Sequence, residues 1–272
     1  MTLKKFENLK GLLKDMCRVL VAFSGGVDST FLLKVAHDVL GENVLAVTAT
    51  SETYPRKERE EALRLAEEMG VRHRLIETHE LENPDFAQNP PERCYFCKVE
   101  LFSRLKDIAE AEGIPYVLDG SNYGDIEDFR PGLKAVDELG VRSPLKEVGL
   151  VKREIRQLSR KLGLRTWKKP SFACLSSRFP YNTEISPQSL KQVDRAEEYL
   201  RGLGFSQFRV RHHGQIARIE VSPEEFPRLI AKETREKIVE NFRKWGFVYI
   251  TLDLQGYRSG SMNEPLFLEK SR

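Results

Sequence analysis

The sequence predicts an α/β fold: a parallel-sheet domain over residues 1–180 and a smaller α+β domain over residues 181–272. Three observations carry this. Short β-branched apolar runs alternate with amphipathic helical stretches through the first two-thirds of the chain, the pattern of parallel βαβ units with helices on both sheet faces. A Ser-Gly-Gly loop separates the first apolar run from the helix after it. Beyond Ser186 the order changes to helix, two close strands, helix and strand.

Met1–Cys17 reads as a charged amphipathic helix without the apolar region of a signal peptide. Arg18–Phe23 (RVLVAF) is the first strand, and Asp28–Leu40 has helical periodicity. Val44–Thr48 is the next strand, Arg56–Met69 a charged helix closed by Gly70, and Val71–Ile76 a third strand. A helix over Lys98–Glu112 stops at Gly113, the strand Tyr116–Leu118 follows, and a helix over Lys152–Leu162 ends at Gly163. Phe179–Ser186 is loop-like and marks the domain boundary. Ser186 then caps a helix reaching Leu203, with Pro187 at its first position. Phe208–Val221 reads as a hairpin turned at His213–Gln215, Pro223–Trp245 as one helix and Val248–Leu254 as the last strand, giving an antiparallel sheet.

Composition limits the function classes. The 272 residues are 40% hydrophobic and 31% charged, enough for a full core. Net charge is only +3, and Lys and Arg are interleaved with Asp and Glu. A small anionic substrate fits this balance, whereas nucleic-acid binding calls for a concentrated basic surface. No apolar stretch approaches the roughly 18 residues of a membrane span, so a cytoplasmic protein is expected.

The chemistry starts at Ser24–Ser29, SGGVDS. Gly25 and Gly26 let the backbone approach a ligand closely, and the new helix presents its amides and positive dipole end, which together make an anion cradle. Ser24 and Ser29 add hydroxyls, and Asp28 is a carboxylate suited to Mg²⁺ held with phosphates. The loop lacks the lysine of a Walker A motif and is not GxGxxG. Four cysteines in such a chain point to metal or catalytic roles. Cys94 and Cys97 form a CxxC with no second pair to complete a zinc site. Cys174 lies in a loop with Ser176, Ser177 and Arg178, where an arginine favours the thiolate. Three thiolates suit an iron–sulfur cluster with one iron left open. Cys17 stands alone and is expected to be a buried small hydrophobe.

SGGVDS in this strand–loop–helix setting is similar to the signature of PP-loop ATP pyrophosphatases, whose fold is the adenine nucleotide alpha hydrolase type. On that resemblance Ser24, Gly25, Gly26, Asp28 and Ser29 hold ATP and Mg²⁺. Thr48 lies beside the adenine, and Gly120, Asn122 and Asp125 of DGSNYGD form the adenylate-side loop. Together with ERCYFCK, LKEVGLVKREIR, FACLSSRFPY, RVRHHGQIARIEV and LDLQGYRSGSMN, the chain resembles the LarE family over nearly its whole length. LarE enzymes insert sulfur into pyridinium-3,5-biscarboxylic acid mononucleotide during nickel-pincer cofactor synthesis. The resemblance implies adenylation of a substrate carboxylate, release of pyrophosphate, and attack by a sulfur nucleophile with loss of AMP.

The family has two versions. In one the cysteine matching Cys174 gives up its own sulfur; in the other three cysteines hold a [4Fe–4S] cluster. Cys94, Cys97 and Cys174 are all present, which favours the cluster version and leaves sacrifice of Cys174 open. Arg209 and Arg211 alternate on a strand and, with Arg178, are candidates to clamp the substrate phosphate. The resemblance also implies a homo-oligomer, with a hexamer as one candidate state. The rival readings are a tRNA thiolase with a three-cysteine cluster, an ammonia-using amidating enzyme and a non-catalytic nucleotide sensor. No RNA-binding module or glutamine amidotransferase region is evident in the sequence, and the cysteine trio and intact Asp28 count against the last two.

Overall fold

The computed structural model describes residues 2–127, 131–170, 173–258, 260–264 and 266. Its chain divides into two compact units, Met1–Phe86 with Pro91–Ala173, and Ala87–Pro90 with Cys174–Arg272.

The first unit runs α1 (Thr2–Met16), β1 (Val19–Ala22), α2 (Val27–Leu40), β2 (Val44–Thr50), α3 (Arg56–Glu68) and β3 (Arg72–Glu77). A short α4 (Pro84–Ala87), α5 (Arg93–Ala111), β4 (Tyr116–Leu118), α6 (Gly132–Glu138), α7 (Pro144–Glu147) and α8 (Lys152–Lys161) follow. Its four strands are all parallel in the order β3-β2-β1-β4. Alternation along β1 sends Val19 and Val21 to one core and Leu20 to another. Leu9, Leu13, Phe31, Leu65 and Ile155 from α1, α2, α3 and α8 fill the first core. Phe102 and Leu105 of α5 and Val136 of α6 fill the second. Helices therefore cover both sheet faces, as the apolar, buried β1, β2 and β4 require, while the edge strand β3 is charged and largely exposed.

In the second unit, α9 (Pro187–Gly202) precedes β5 (Phe208–His213), β6 (Ile216–Val221), α10 (Phe226–Ile230), α11 (Lys232–Lys244) and β7 (Tyr249–Leu252). Ser186 caps α9 by accepting from the Ser189 amide. The core gathers Leu200, Val210, Ile219, Phe242 and Phe247.

Several expectations need correction. The second sheet is mixed: β5 and β6 are antiparallel, but β7 runs parallel to β6, because a helical crossover returns the chain to the same end. The helix expected over Pro223–Trp245 is broken into a 3₁₀ turn (Pro223–Glu225), α10 and α11. Two prolines, Pro223 and Pro227, start new turns without an amide to donate, and Ala231 is extended at φ −53°, ψ 137°. Helix α5 begins at Arg93, five residues before the expected Lys98, so the CxxC is helical. Cys17 is exposed, not buried, in a left-handed conformation at φ 60° that ends α1.

Candidate active site

In the first unit, β2 and β3 lie on one side of β1 and β4 on the other. The connections leaving the carboxyl ends of β1 and β4 thus diverge, which opens a crevice at the switch point. Ser24–Gly26 emerges there from β1 and runs into α2. Gly25 takes φ +65°, and a Cβ on it would stand 3.1 Å from the Ala62 Cα of α3. A Cβ on Gly26 would meet the Ser24 hydroxyl at 3.3 Å. The loop is closed by its own serines: the Ser24 and Ser29 hydroxyls are 3.0 Å apart, and the Ser24 amide donates to Ser29 Oγ at 3.3 Å. The Thr30 amide donates to the Gly26 carbonyl, which starts α2 and leaves the first-turn amides without partners in the helix.

Asp28, in that first turn, has one oxygen 2.5 Å from Lys152 Nζ and another buried without a hydrogen-bond partner. Burial raises its pKa above the ordinary carboxylate range, and Lys152 works against that. The orphaned oxygen is what a bound divalent cation would complete. The adenylate-side loop closes on the same place. A Cβ on Gly120 would be 3.0 Å from the Ser29 amide nitrogen, so only glycine permits this approach. Asp125 accepts from the Asn122 amide and side chain, and Asp119 accepts from Ser121 and Ser143, both hydroxyls at 2.6 Å. Thr48 is inside β2 rather than at its end. Its hydroxyl donates to the Phe23 carbonyl at 2.6 Å and accordingly accepts from His73 Nε2 at 2.9 Å.

Three contacts on this loop escaped the sequence reading. Lys152 opens α8 and pairs with Asp28. Lys169 Nζ donates to the Gly25 carbonyl at 3.2 Å while pairing with Glu58 and Glu61 of α3. The Tyr54 hydroxyl donates to the Ser24 carbonyl at 2.8 Å. The available signal was LVKREIR, a segment already singled out, with Lys152 at a helix start beside an otherwise uncompensated aspartate.

Cys94 and Cys97 lie one turn apart on α5 and therefore share a face. Cys94 is exposed, and the Cys97 thiol donates to the buried Glu80 carboxylate at 3.6 Å. Among the described residues no group of three or more His, Cys, Asp or Glu side chains is arranged to hold a metal ion. No disulfide joins any of the four cysteines.

In the second unit, Cys174 precedes the 3₁₀ turn Leu175–Arg178; Phe172, in the same motif, is outside the described residues. Arg178 and Arg211 are both buried and held by carboxylates. Arg178 forms a two-pronged pair with Glu197, both contacts at 2.9 Å. Arg211 Nη2 donates to Glu220 at 2.7 Å and to the Ser261 hydroxyl at 3.0 Å. Arg209 stacks its guanidinium over Tyr257, 5.2 Å from the ring centre, and makes no carboxylate ion pair among the described residues. Burial lowers its pKa, and Arg178 and Arg211 lower it further. Phosphate-binding chemistry is therefore available at Arg209, whereas Arg178 and Arg211 already have anionic partners.

A parallel sheet that reverses its order at β1, with a Ser-Gly-Gly loop, a helix start and an aspartate at that point, defines an ATP pyrophosphatase of the PP-loop class. The NAD synthase family matches residues 9–108, which span the loop and all of the first three strands. The chain belongs to the family of the pyridinium-3,5-bisthiocarboxylic acid mononucleotide synthase of Lactiplantibacillus plantarum, with which it shares 44% identity over 263 residues, 96% of this chain and 95% of that one. It is 48% identical over 262 residues to an uncharacterized Synechocystis protein, covering 96% of this chain and 98% of that one. An uncharacterized Methanocaldococcus jannaschii protein is 30% identical over 260 residues, 94% and 98% of the two chains. Among the described residues no helix is long and apolar enough to cross a membrane.

Proposed function

We propose that the chain is an ATP-dependent sulfurtransferase that converts a carboxylate of pyridinium-3,5-biscarboxylic acid mononucleotide to a thiocarboxylate, releasing AMP and pyrophosphate, in nickel-pincer cofactor synthesis. The observation that carries this reading is the SGGVDS loop at the switch point, with one Asp28 oxygen buried and unpartnered. A carboxylate is a poor electrophile because oxide would have to leave. Its oxygen attacks the α-phosphorus of ATP, the bond to the bridging oxygen breaks, and pyrophosphate departs with both electrons. The first-turn amides of α2, Ser24 and Ser29 take the growing negative charge, Lys152 turns from Asp28 to the phosphates, and Asp28 would hold Mg²⁺, which when bound would neutralise phosphate charge. A sulfur nucleophile then attacks the acyl carbon, and AMP leaves with the former carboxylate oxygen.

On this reading residues 1–180 bind the nucleotide, with Thr48 near the adenine and Gly120, Asn122 and Asp125 on the adenylate side. Residues 181–272 serve the substrate and assembly of a cytoplasmic homo-oligomer. Arg209 meets the substrate phosphate, and Arg211 joins it by exchanging part of its hold on Glu220. Cys94, Cys97 and Cys174 would hold a [4Fe–4S] cluster, for which cysteine thiolates are suitable soft donors, and the cluster when bound would supply an exchangeable sulfide.

The test is a single turnover of anaerobically purified protein with ATP, Mg²⁺ and the mononucleotide. Equal amounts of AMP, pyrophosphate and thiocarboxylate are expected, with iron and sulfide present and the visible absorbance lost in Cys94→Ala. Wild-type protein that releases no pyrophosphate would sink the proposal. A colourless protein whose Cys174 becomes dehydroalanine would move the sulfur source to that residue and leave the adenylation intact.

A further inference from the structure

We infer that Arg178 is a positioning residue that fixes Cys174 for sulfur transfer, and not a ligand of the substrate phosphate; this rests on the proposed function. The guanidinium is buried and has five N–H donors in a fixed fork. Nε and Nη2 donate to the two oxygens of Glu197, each at 2.9 Å. The opposite edge turns back on its own turn, where Nη1 donates to the Cys174 carbonyl at 3.0 Å and to Ser177 Oγ at 2.8 Å. Four donor contacts are thus directed at protein groups, and the attached charge is neutralised by a buried carboxylate.

The Cys174 carbonyl receives more than Arg178. The Ser177 hydroxyl donates to it at 2.8 Å and the Ser177 amide at 3.1 Å, so three donors converge on one oxygen. Glu197 in turn is anchored on β5, where the Val210 amide donates to it at 3.1 Å. A chain of bonds therefore runs from Val210 on the edge strand β5, through a helix carboxylate and a guanidinium, to the backbone of the residue that carries the thiol. With its carbonyl held on three sides, Cys174 presents its Sγ from a fixed backbone, and only the side-chain rotamer remains to be chosen. A phosphate that took two donors from Arg178 would have to displace Glu197 or weaken the hold on Cys174 and Ser177. Arg209, stacked over Tyr257 and without a carboxylate ion pair among the described residues, faces no such exchange.

A reacting group displaced by about 1 Å loses on the order of a hundredfold in rate, and Cys174 sets the place of that group whether it gives up its own sulfur or would hold the cluster. The experiment compares Arg178→Lys, which keeps the charge but not the fork, with Ser177→Ala, a half-buried site that tolerates the change in fold. Each variant is measured for single-turnover pyrophosphate release, for kcat and KM of thiocarboxylate formation, and for amide exchange over residues 173–179. The expected result is unchanged pyrophosphate release and unchanged KM for the mononucleotide. Thiocarboxylate formation falls about tenfold in Ser177→Ala and about a hundredfold in Arg178→Lys, and exchange at 173–179 speeds up in both. A raised KM with kcat intact would overturn the inference and make Arg178 a phosphate ligand. Exchange at wild-type rates in both variants would overturn it as well. If wild-type protein forms no thiocarboxylate, the proposed function fails, and the exchange measurement alone then decides whether Arg178 anchors Cys174.

Discussion

At the scale of single residues, Asp28 and Lys152 set a pH dependence. Burial raises the Asp28 pKa, with Lys152 the chief opposing influence. The folded protein therefore holds this proton to a higher pH than an unfolded chain with an aspartate near 3.9 does. Ionising Asp28 costs the unliganded fold stability as pH rises through that window, while the cation it must bind requires the ionised form. The acid limb of pyrophosphate release should lie above the range of an ordinary aspartate, and Lys152→Met should move it further up. A pH–rate profile with an unmoved limb in Lys152→Met would show that the pair does not set it. Gly120 makes a second, steric case. With a Cβ 3.0 Å from the Ser29 amide nitrogen, Gly120→Ala must push the adenylate-side loop off the start of α2. We expect a loss of about 1–3 kcal/mol in stability and a rise in KM for ATP, both read on purified protein. The glycine's need was legible in the sequence only as part of DGSNYGD; that its neighbour would be Ser29, ninety-one positions away, was not. Lys152 was legible as a helix start within LVKREIR, but its pairing with Asp28 was not, since ion pairs between distant elements leave no local pattern. Arg178 stands in the same loop as Cys174 in the sequence, where it was a candidate phosphate clamp, but its partner Glu197 lies on a helix face whose charges look solvated in sequence.

At the scale of elements, the four strands and the longer helices of the first unit followed from periodicity, because β1, β2 and β4 are apolar runs between amphipathic helices, whereas the short α4, α6 and α7 were not foreseen. The second unit was less legible. Antiparallel and parallel returns to β6 demand the same β7 sequence, and only the length of the intervening crossover distinguishes them. The start of α5 was missed because Arg93–Cys97 has middling helix formers and no cap signal, with Glu92 at the N-cap making no side-chain bond. Where a cap is present the element was placed well. Ser186 Oγ accepts from the Ser189 amide, and Ser189 Oγ accepts from the Ser186 amide in return. Ser186→Ala should cost about 1 kcal/mol in denaturant unfolding of the second unit. Because α9 carries Glu197, the same variant should also speed amide exchange in the Leu175–Arg178 turn. A variant as stable as the parent would mean that the end of α9 is held by packing of Leu190 and Val193 instead.

At the scale of the whole molecule, the division into two compact units makes a claim about where nucleotide binding is felt. Every loop residue proposed to hold ATP, from Ser24 to Asp125, together with Lys152 and Lys169, falls in the unit formed by Met1–Phe86 and Pro91–Ala173. A ligand stabilises what it binds by mass action, about 2.7 kcal/mol at a hundred times its Kd. A non-hydrolysable ATP analogue with Mg²⁺ should therefore slow amide exchange along β1, β2, β4 and α2, whose opening breaks the cradle. It should leave β5, β6 and α11 close to their unliganded rates, since their core is built from Val210, Ile219 and Phe242 and contains no loop residue. The mononucleotide given alone should show the converse, with slower exchange around Arg209 and Arg211 and little change at Ser24–Ser29. Protection of both units by the analogue alone would refute this assignment, because it would require the nucleotide to order residues on which its phosphates have no claim. Protection of neither, at concentrations that saturate binding, would remove the loop from the site altogether.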